Sequence, residues 1–223
     1  MARICVFDVN ETLLDLGALD PLFEEGFGDR GARREWFSQV LQSAFVSTIT
    51  GSYADFGAVG AAALQMTADR RGVSLSGEVR QNILGGMRTL PPHPEVRDAL
   101  DLLRDAGIRL AALTNNPQEV AEAQLNNAGL TDSFEKIFSA DAVRRLKPAP
   151  EPYRAAAEGL GVETSGTRLV AAHAWDVTGA MRAGCAGAFV ARPGMVLDPL
   201  ARPPDVVGAN LSEVATAIIA AEV

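Results

Sequence analysis

Arg3-Ile4-Cys5-Val6-Phe7-Asp8-Val9-Asn10-Glu11-Thr12-Leu13 is the stretch that decides the fold. Ile4 through Phe7 are apolar with no helical period, which suits a parallel strand covered on both faces. Asp8 stops the run, and Asn10, Glu11 and Thr12 follow as turn chemistry. In an open α/β sheet, ligands bind just outside the carboxyl ends of the strands. A carboxylate at that point is poorly placed for stability and well placed for catalysis. The competing reading is an Asp that caps the next turn.

Around this stretch, 223 residues suit one α/β domain, or one domain carrying an insertion. The hydrophobic share of 48% supports a sizeable core. With 28 acidic and 20 basic residues the net charge is -8, which argues against nucleic acid or an anionic membrane as partner. A small anionic substrate remains compatible, because a local site can be positive on an acidic protein. Cys5 and Cys185 sit in apolar surroundings and read as buried, reduced thiols, so a cytoplasmic location is expected. The chain enters its first strand at once, so no signal peptide is expected, and no apolar run is long enough to span a membrane. The alanine-rich C-terminus reads as an amphipathic helix.

After Asp8 the period changes. Residues 14–87 read as helical: Trp36, Val40, Leu41, Ala44 and Phe45 recur at helical spacing, as do Phe56, Val59, Ala63, Leu64 and Met66. Gly51 and Gly72 fall where helices should end. Pro91, Pro92 and Pro94 then punctuate the chain. Beyond them strands alternate with helices. Strands are expected at 108–113, 136–139, 168–172 and 187–191, with a short one at 206–207. Helices are expected at 95–106, 117–128, 152–160 and 177–183, stopped by Gly107, Gly129, Gly161 and Gly184. Such units imply right-handed crossovers and a parallel sheet. The expected architecture is therefore α/β: a Rossmann-like parallel sheet core of residues 1–13 and 93–223, interrupted by an α-helical cap of residues 14–92. Hinges are expected near 14–17 and 89–94.

Four segments fall at the carboxyl ends of these strands: Asp8 to Thr12, Leu113-Thr114-Asn115-Asn116, Lys147-Pro148 with Tyr153 shortly after, and His173-Ala174-Trp175-Asp176. Singly each is weak, since a Thr-Asn pair is usually a turn, a Lys usually solvated, and an Asp before a helix usually its cap. In this order and topology they resemble the four-motif pattern of the haloacid dehalogenase-like hydrolases, over nearly the whole chain. The resemblance implies Asp8 as a nucleophile that forms an ester intermediate. Thr114 with neighbouring N–H groups would hold an anionic substrate group. Lys147 would keep Asp8 ionised and neutralise charge, and Asp176 would orient a water or a metal. The catalytic set is Asp8, Lys147, Asp176 and Thr12. The substrate-binding set is Asn10, Thr114, Asn115, His173, Phe37 and Trp175.

Phosphatases of this superfamily typically carry a second Asp two residues after the nucleophile to protonate the leaving group. Here that position is Asn10, which cannot serve as an ordinary acid. Halide needs no proton, so the change favours carbon–halogen cleavage. The runs Ala171-Ala172-His173-Ala174-Trp175-Asp176-Val177-Thr178-Gly179-Ala180 and Gly51-Ser52-Tyr53-Ala54-Asp55-Phe56, with the tail from Arg192-Pro193-Gly194 to Pro203-Pro204-Asp205, are similar to the type II L-2-haloacid dehalogenases. In that branch Asp displaces halide with inversion, water hydrolyses the ester, and no metal or other cofactor is required. The chain departs from the branch at Asn10, usually aromatic, and at Phe37, where an Arg usually follows the cap Trp. It departs again at Ala171 and His173, commonly Ser and Asn. His173 is open between hydrogen bonding to a leaving group or water and fixing a loop carbonyl. Asn10 is open between a substrate contact and an Asx turn. Trp175 and Phe37 also suit packing at the core–cap boundary, and His93 a structural role. The face with Phe45, Val46 and Ile49 on the cap is open between a homodimer contact and packing within the cap. Two alternatives stand beside the dehalogenase: a magnesium-dependent phosphatase with Asp8, the carbonyl of Asn10 and Asp176 as ligands, and a non-catalytic relative.

Overall fold

The computed structural model describes residues 4–222, so Arg3 and the outermost residues of the expected core lie outside the described residues. Six strands form one parallel sheet: β1 (Ile4–Phe7), β2 (Leu110–Thr114), β3 (Lys136–Ser139), β4 (Thr167–Ala171), β5 (Ala186–Val190) and β6 (Val206–Gly208). Their order is β3-β2-β1-β4-β5-β6, with β1 in the middle. The chain direction of growth reverses between β1 and β4, which opens a crevice at their carboxyl ends. The register sets Phe7 beside both Ala112 and Val170, so the residues that follow β1, β2 and β4 emerge at one level.

Every β1 residue is buried, and the two faces feed two cores. Cys5 and Phe7 pack with Leu110 and Ala112 on one side, while Ile4 and Val6 pack with Ala111, Leu113 and Leu169 on the other. The side-chain period of two accounts for the unbroken apolar run. Burial pushes the Cys5 thiol up to about 12, which leaves it inert. Five helices flank the sheet: α5 (Val96–Asp105), α6 (Gln118–Asn127), α7 (Pro150–Gly159), α8 (Ala174–Ala183) and α9 (Leu211–Glu222). Buried Arg168 of β4 donates to Asp205 at 2.7 and 2.9 Å and to Glu222 of α9 at 2.5 Å, tying the last helix to the sheet.

Between β1 and α5 lies the helical cap: α1 (Asp20–Phe27), α2 (Ala32–Thr50), α3 (Phe56–Arg71) and α4 (Gly77–Gly86). α2 packs on α3, with Trp36 Nε1 donating to the Gly60 carbonyl at 3.0 Å and its ring 5.3 Å from Phe23. Gly51 and Gly72 end α2 and α3 in the left-handed region (φ 68° and 64°), as the sequence predicts.

Two boundaries differ from expectation in a way that matters. α8 begins at Ala174 rather than 177, because His173 is extended (φ -104°, ψ 121°) and Asp176 sits well in a helical first turn. Trp175 and Asp176 thereby stand on helix rather than loop. α7 begins at Pro150 rather than 152, since proline is favoured at a first helical position.

Candidate active site

Asp8 leaves the end of β1 with 5% of its surface exposed. Its Oδ1 lies 2.8 Å from Lys147 Nζ, and its Oδ2 accepts from the Thr12 hydroxyl at 2.6 Å. Thr12 Oγ1 accepts in turn from the Ala172 N–H at 2.9 Å, so the β4 exit fixes the rotamer that holds Asp8. The loop is pinned from behind by Arg192, which donates to the Thr12 carbonyl at 2.8 Å and pairs with Glu95 at 2.5 Å.

Lys147 is buried to 1% and uses three acceptors: Asp8, Asp176 Oδ2 at 2.5 Å, and the Leu113 carbonyl at 3.0 Å. An ammonium has three N–H groups, so its donors are matched. Burial alone would lower Lys147, but the charges of Asp176 and Asp8 outweigh it and hold it raised and cationic. Asp176, fully buried, is pushed up to about 6 by burial and then by Asp8, against the pull of Lys147. Its second oxygen accepts from the Tyr153 hydroxyl at 2.6 Å. Burial, then the Asp176 charge, drives Tyr153 well above the ordinary phenol range, so it stays a donor. The tight meeting of α8 with the Lys147-Pro148 turn requires Gly179. A Cβ there would stand 2.6 Å from Pro148 Cβ and 2.9 Å from the Tyr153 hydroxyl.

Asn115 clamps this lysine by its backbone: its Oδ1 accepts from Lys147 N at 2.7 Å and its Nδ2 donates to Lys147 O at 3.4 Å. Thr114, at the end of β2, turns its hydroxyl to the Asn116 N–H at 3.2 Å. Asn10 belongs to a buried amide chain rather than an Asx turn. Gln124 Nε2 donates to Asn10 Oδ1 at 3.0 Å and to the Met87 carbonyl at 2.7 Å, while Asn116 Nδ2 donates to Gln124 Oε1 at 2.8 Å.

Beside these groups a cavity of about 600 Å³ lies between cap and sheet, lined by Glu11, Arg33, Phe37, His173, Trp175 and Arg192 among others. Phe37 stands 6.2 Å from the His173 ring, and His173 stacks on Trp175 at 5.3 Å. The Trp175 ring overlies Lys147 Nζ at 6.0 Å, and its buried Nε1 has no acceptor among the described residues. The sequence reading passed over Glu11 and Arg33. Glu11 Oε2 is 3.3 Å from His173 Nε2, and Glu11 Oε1 is 3.7 Å from Arg33, whose Nε also donates to Asp20. Glu11 is raised by burial, against the charges of His173 and Arg33. The available signal for Arg33 was its place one helical turn before Phe37. Tyr153 was quoted, but nothing local announced its bond to Asp176. His93, lowered by burial, meets the Glu11 carbonyl at 3.3 Å.

A family model described as haloacid dehalogenase-like hydrolase matches residues 2–184. Among curated proteins, an (S)-2-haloacid dehalogenase of Pseudomonas sp. (strain YL) is 30% identical over 201 residues, covering 89% of this chain and 87% of that protein. One of Xanthobacter autotrophicus is 32% identical over 194 residues, covering 86% and 76%. The solved L-2-haloacid dehalogenase of Xanthobacter autotrophicus with chloropropionic acid covalently bound superposes with TM-score 0.90 at 28% identity, covering 97% of this chain and 98% of that one.

Proposed function

Because this chain belongs to the haloacid dehalogenase-like hydrolase family, we propose that it hydrolyses the carbon–halogen bond of small (S)-2-haloacids through an ester on Asp8. The observation that carries this reading is the Lys147 ammonium seated between Asp8 Oδ1 and Asp176 Oδ2, at 2.8 and 2.5 Å. Asp8 attacks C2 of the haloacid from the side opposite the halogen, a C–O bond forms, and halide leaves with the bonding pair. Lys147 keeps Asp8 ionised and offsets charge as it redistributes. Asp176 and Tyr153 hold Lys147 in place, and Thr12 holds the carboxylate. Water then attacks Asp8 Cγ and releases the 2-hydroxyacid. Phe37 and Trp175 wall the cleft, while Thr114 and Asn115 keep the strand ends and Lys147 in register.

The phosphatase alternative is the weaker one. Asp8 and Asp176 already share a cation, and each spends its other oxygen on a hydroxyl at 2.6 Å. A divalent ion would have to displace Lys147, so the donor set does not fit a magnesium site. Asn10 carries no acidic proton and its Oδ1 is occupied by Gln124. The reaction therefore needs no cofactor on this reading. Among the described residues no helix is long and apolar enough to cross a membrane, and the two free thiols accord with a cytoplasmic setting. We take residues 14–92 as the cap, with Val46 and Ile49, 54% and 83% exposed on α2, as the face through which two copies pair. Phe45 instead turns its ring to Trp175 at 5.3 Å.

The test mixes chelator-treated protein with (S)-2-chloropropionate beside an Asp8→Asn control. Chloride release that needs Asp8 and ignores the chelator is expected. Absence of release, or phosphate-ester hydrolysis restored by magnesium, would sink the reading.

A further inference from the structure

We infer that Tyr53, at the cap corner between α2 and α3, is a positioning residue for Lys147, acting through Asp141 and Arg144 on the strap of chain that carries the lysine. The inference rests on the dehalogenase reading above, in which Lys147 keeps Asp8 ionised and aimed.

Lys147 stands on irregular backbone. β3 ends at Ser139, a 3-10 turn runs over Ala140–Val143, and α7 starts only at Pro150. Residues 144–149 belong to no strand or helix. An ammonium that sits 2.8 Å from Asp8 therefore depends on side chains to fix its strap. Asn115 of the core clamps the lysine's own peptide. Ahead of it the strap leans on the cap. The Tyr53 hydroxyl donates to Asp141 Oδ1, and the Arg144 guanidinium lies over the Tyr53 ring, 4.8 Å from its centre. The Thr48 hydroxyl reaches the Leu146 carbonyl at 3.5 Å, the loosest of the three contacts. Helix α2 also covers the ammonium itself, because Phe45 meets Trp175 edge-on at 5.3 Å and Trp175 overlies Lys147 Nζ at 6.0 Å.

Both sides of the contact are locally fixed. On the cap, the Ser47 hydroxyl donates to the Ser52 carbonyl at 2.6 Å, and Asp55 Oδ1 caps α3 by accepting from the Ala58 N–H at 2.9 Å. These bonds bracket Tyr53 and set its aim. Burial, then the Asp141 carboxylate, push its phenol well above the ordinary range, so it stays a donor. On the core, the Asp141 N–H donates to Ser139 Oγ at 3.1 Å, which ties the residue to the end of β3. Arg144 lies in the left-handed region (φ 50°), with its N–H donating to the Asp141 carbonyl at 3.0 Å. A residue with a Cβ rarely enters that region unless its surroundings hold it there. Here the holding groups are Asp141 and the Tyr53 ring.

Tyr53 and Thr48 belong to the cap, and Lys147 to the core. Lifting the cap breaks their contacts, frees Arg144 to leave its left-handed backbone, and loosens the strap three residues before the lysine. Lys147 is thus fully seated against Asp8 only with the cap down, so the nucleophile is aimed when the cleft is closed.

The test is single-turnover chloride release by rapid quench, with protein in excess over (S)-2-chloropropionate. It compares wild type, Tyr53→Phe, Asp141→Ala, Asp141→Asn and the double variant Tyr53→Phe/Asp141→Ala, beside melting curves of each. Tyr53→Phe and Asp141→Ala should each release the first chloride ~10-fold or more slowly, since a small misplacement set up far from the chemistry can cost up to about 10²-fold. The protein concentration that half-saturates release should stay within about twofold of wild type, because Tyr53 acts on the lysine and not on the bound acid. The double variant should be no slower than Asp141→Ala alone, as coupled partners require. Asp141→Asn keeps an oxygen for the hydroxyl and should stay close to wild type; the Asp141 pair carries the test if Tyr53→Phe does not fold. A first-chloride rate unchanged in Tyr53→Phe while its melting temperature falls would make Tyr53 structural only and overturn the proposal. So would losses that add in the double variant, a shift in half-saturation with the maximal rate intact, or Asp141→Asn as slow as Asp141→Ala. Wild type that releases no chloride would instead overturn the dehalogenase reading, and this inference with it.

Discussion

Tyr153→Phe tests the electrostatic design of the site with a single atom. The hydroxyl donates to Asp176 Oδ1 at 2.6 Å and favours its ionised form. Ionised Asp176 is what holds Lys147 beside Asp8, so activity should follow its ionisation. With Asp176 pushed up to about 6, wild-type turnover should fall as pH drops through that region. A hydrogen bond to a charged group contributes about 1.5–3 kcal/mol. At 1.36 kcal/mol per pH unit, losing it should move the acid limb up by about one to two units. The variant should be strongly impaired at pH 6 and recover much of its rate at pH 9. Stability runs the opposite way with pH. A raised folded-state value means that Asp176 favours folding below the ordinary carboxylate range, and this contribution is lost as pH rises through about 6. Tyr153→Phe removes help for the charged form, so its thermal stability should fall further behind wild type at pH 8 than at pH 5. The assay is the pH profile of chloride release beside melting curves at both pH values. An unmoved acid limb, or one displaced to lower pH, would refute the role given to Asp176.

Gly179→Ala should destabilise by about 1–3 kcal/mol in a urea titration and lower turnover, because its Cβ meets Pro148 and the Tyr153 hydroxyl at 2.6–2.9 Å. Unchanged stability would mean that α8 and the Lys147 turn are looser than described. Thr12→Val should leave the fold intact but cost ~10-fold or more in burst rate, since about 1.4 kcal/mol corresponds to tenfold and a hydrogen bond to a carboxylate is worth at least that. Burst kinetics of the variant decide it. Asn10→Asp keeps an oxygen for Gln124 Nε2, so magnesium-dependent phosphatase activity should not appear, because Lys147 still fills the cation position. A gain of chelator-sensitive p-nitrophenyl phosphate hydrolysis would contradict that.

The fold was legible because period carries it. Ile4–Phe7, Leu110–Thr114 and Thr167–Ala171 are buried throughout, and Ile4–Phe7, Leu110–Leu113 and Leu169–Ala171 within them read as apolar runs with no helical period. The strand-end rule then placed Asp8, Thr114, Lys147 and Asp176 at one edge of the sheet. Illegible were the contacts that join residues far apart in the chain without any local pattern. Arg33 reaches Glu11 across the cleft, and Gln124 reaches Asn10 over 114 residues. Periodicity speaks of which face is buried, and it is silent on which polar atoms meet there. The start of α8 was placed late for a local reason: Trp175 and Asp176 looked like loop chemistry, whereas an acid in a first helical turn is stabilised by the helix dipole.

Asn10 and Lys147 together explain why one scaffold leans toward carbon–halogen chemistry. A phosphoester needs a proton at its leaving oxygen and charge neutralisation on its phosphoryl oxygens, so the position two beyond the nucleophile is valuable to it. A halide departs as a stable anion, and the demand at that position lapses. Asn10 is then free for structure. Through Gln124 it links the loop after β1 to α6 and to the Met87 carbonyl where the cap rejoins the core. The remaining demand is an ionised, aimed carboxylate, and a lysine between two aspartates meets it: on the proposed mechanism one carboxylate is the nucleophile, and the other offsets the cost of keeping an ammonium buried at 1% exposure. Removing either aspartate would leave Lys147 with a single carboxylate partner beside the Leu113 carbonyl. On the proposed mechanism the second carboxylate thus sustains the reaction by holding the lysine in place.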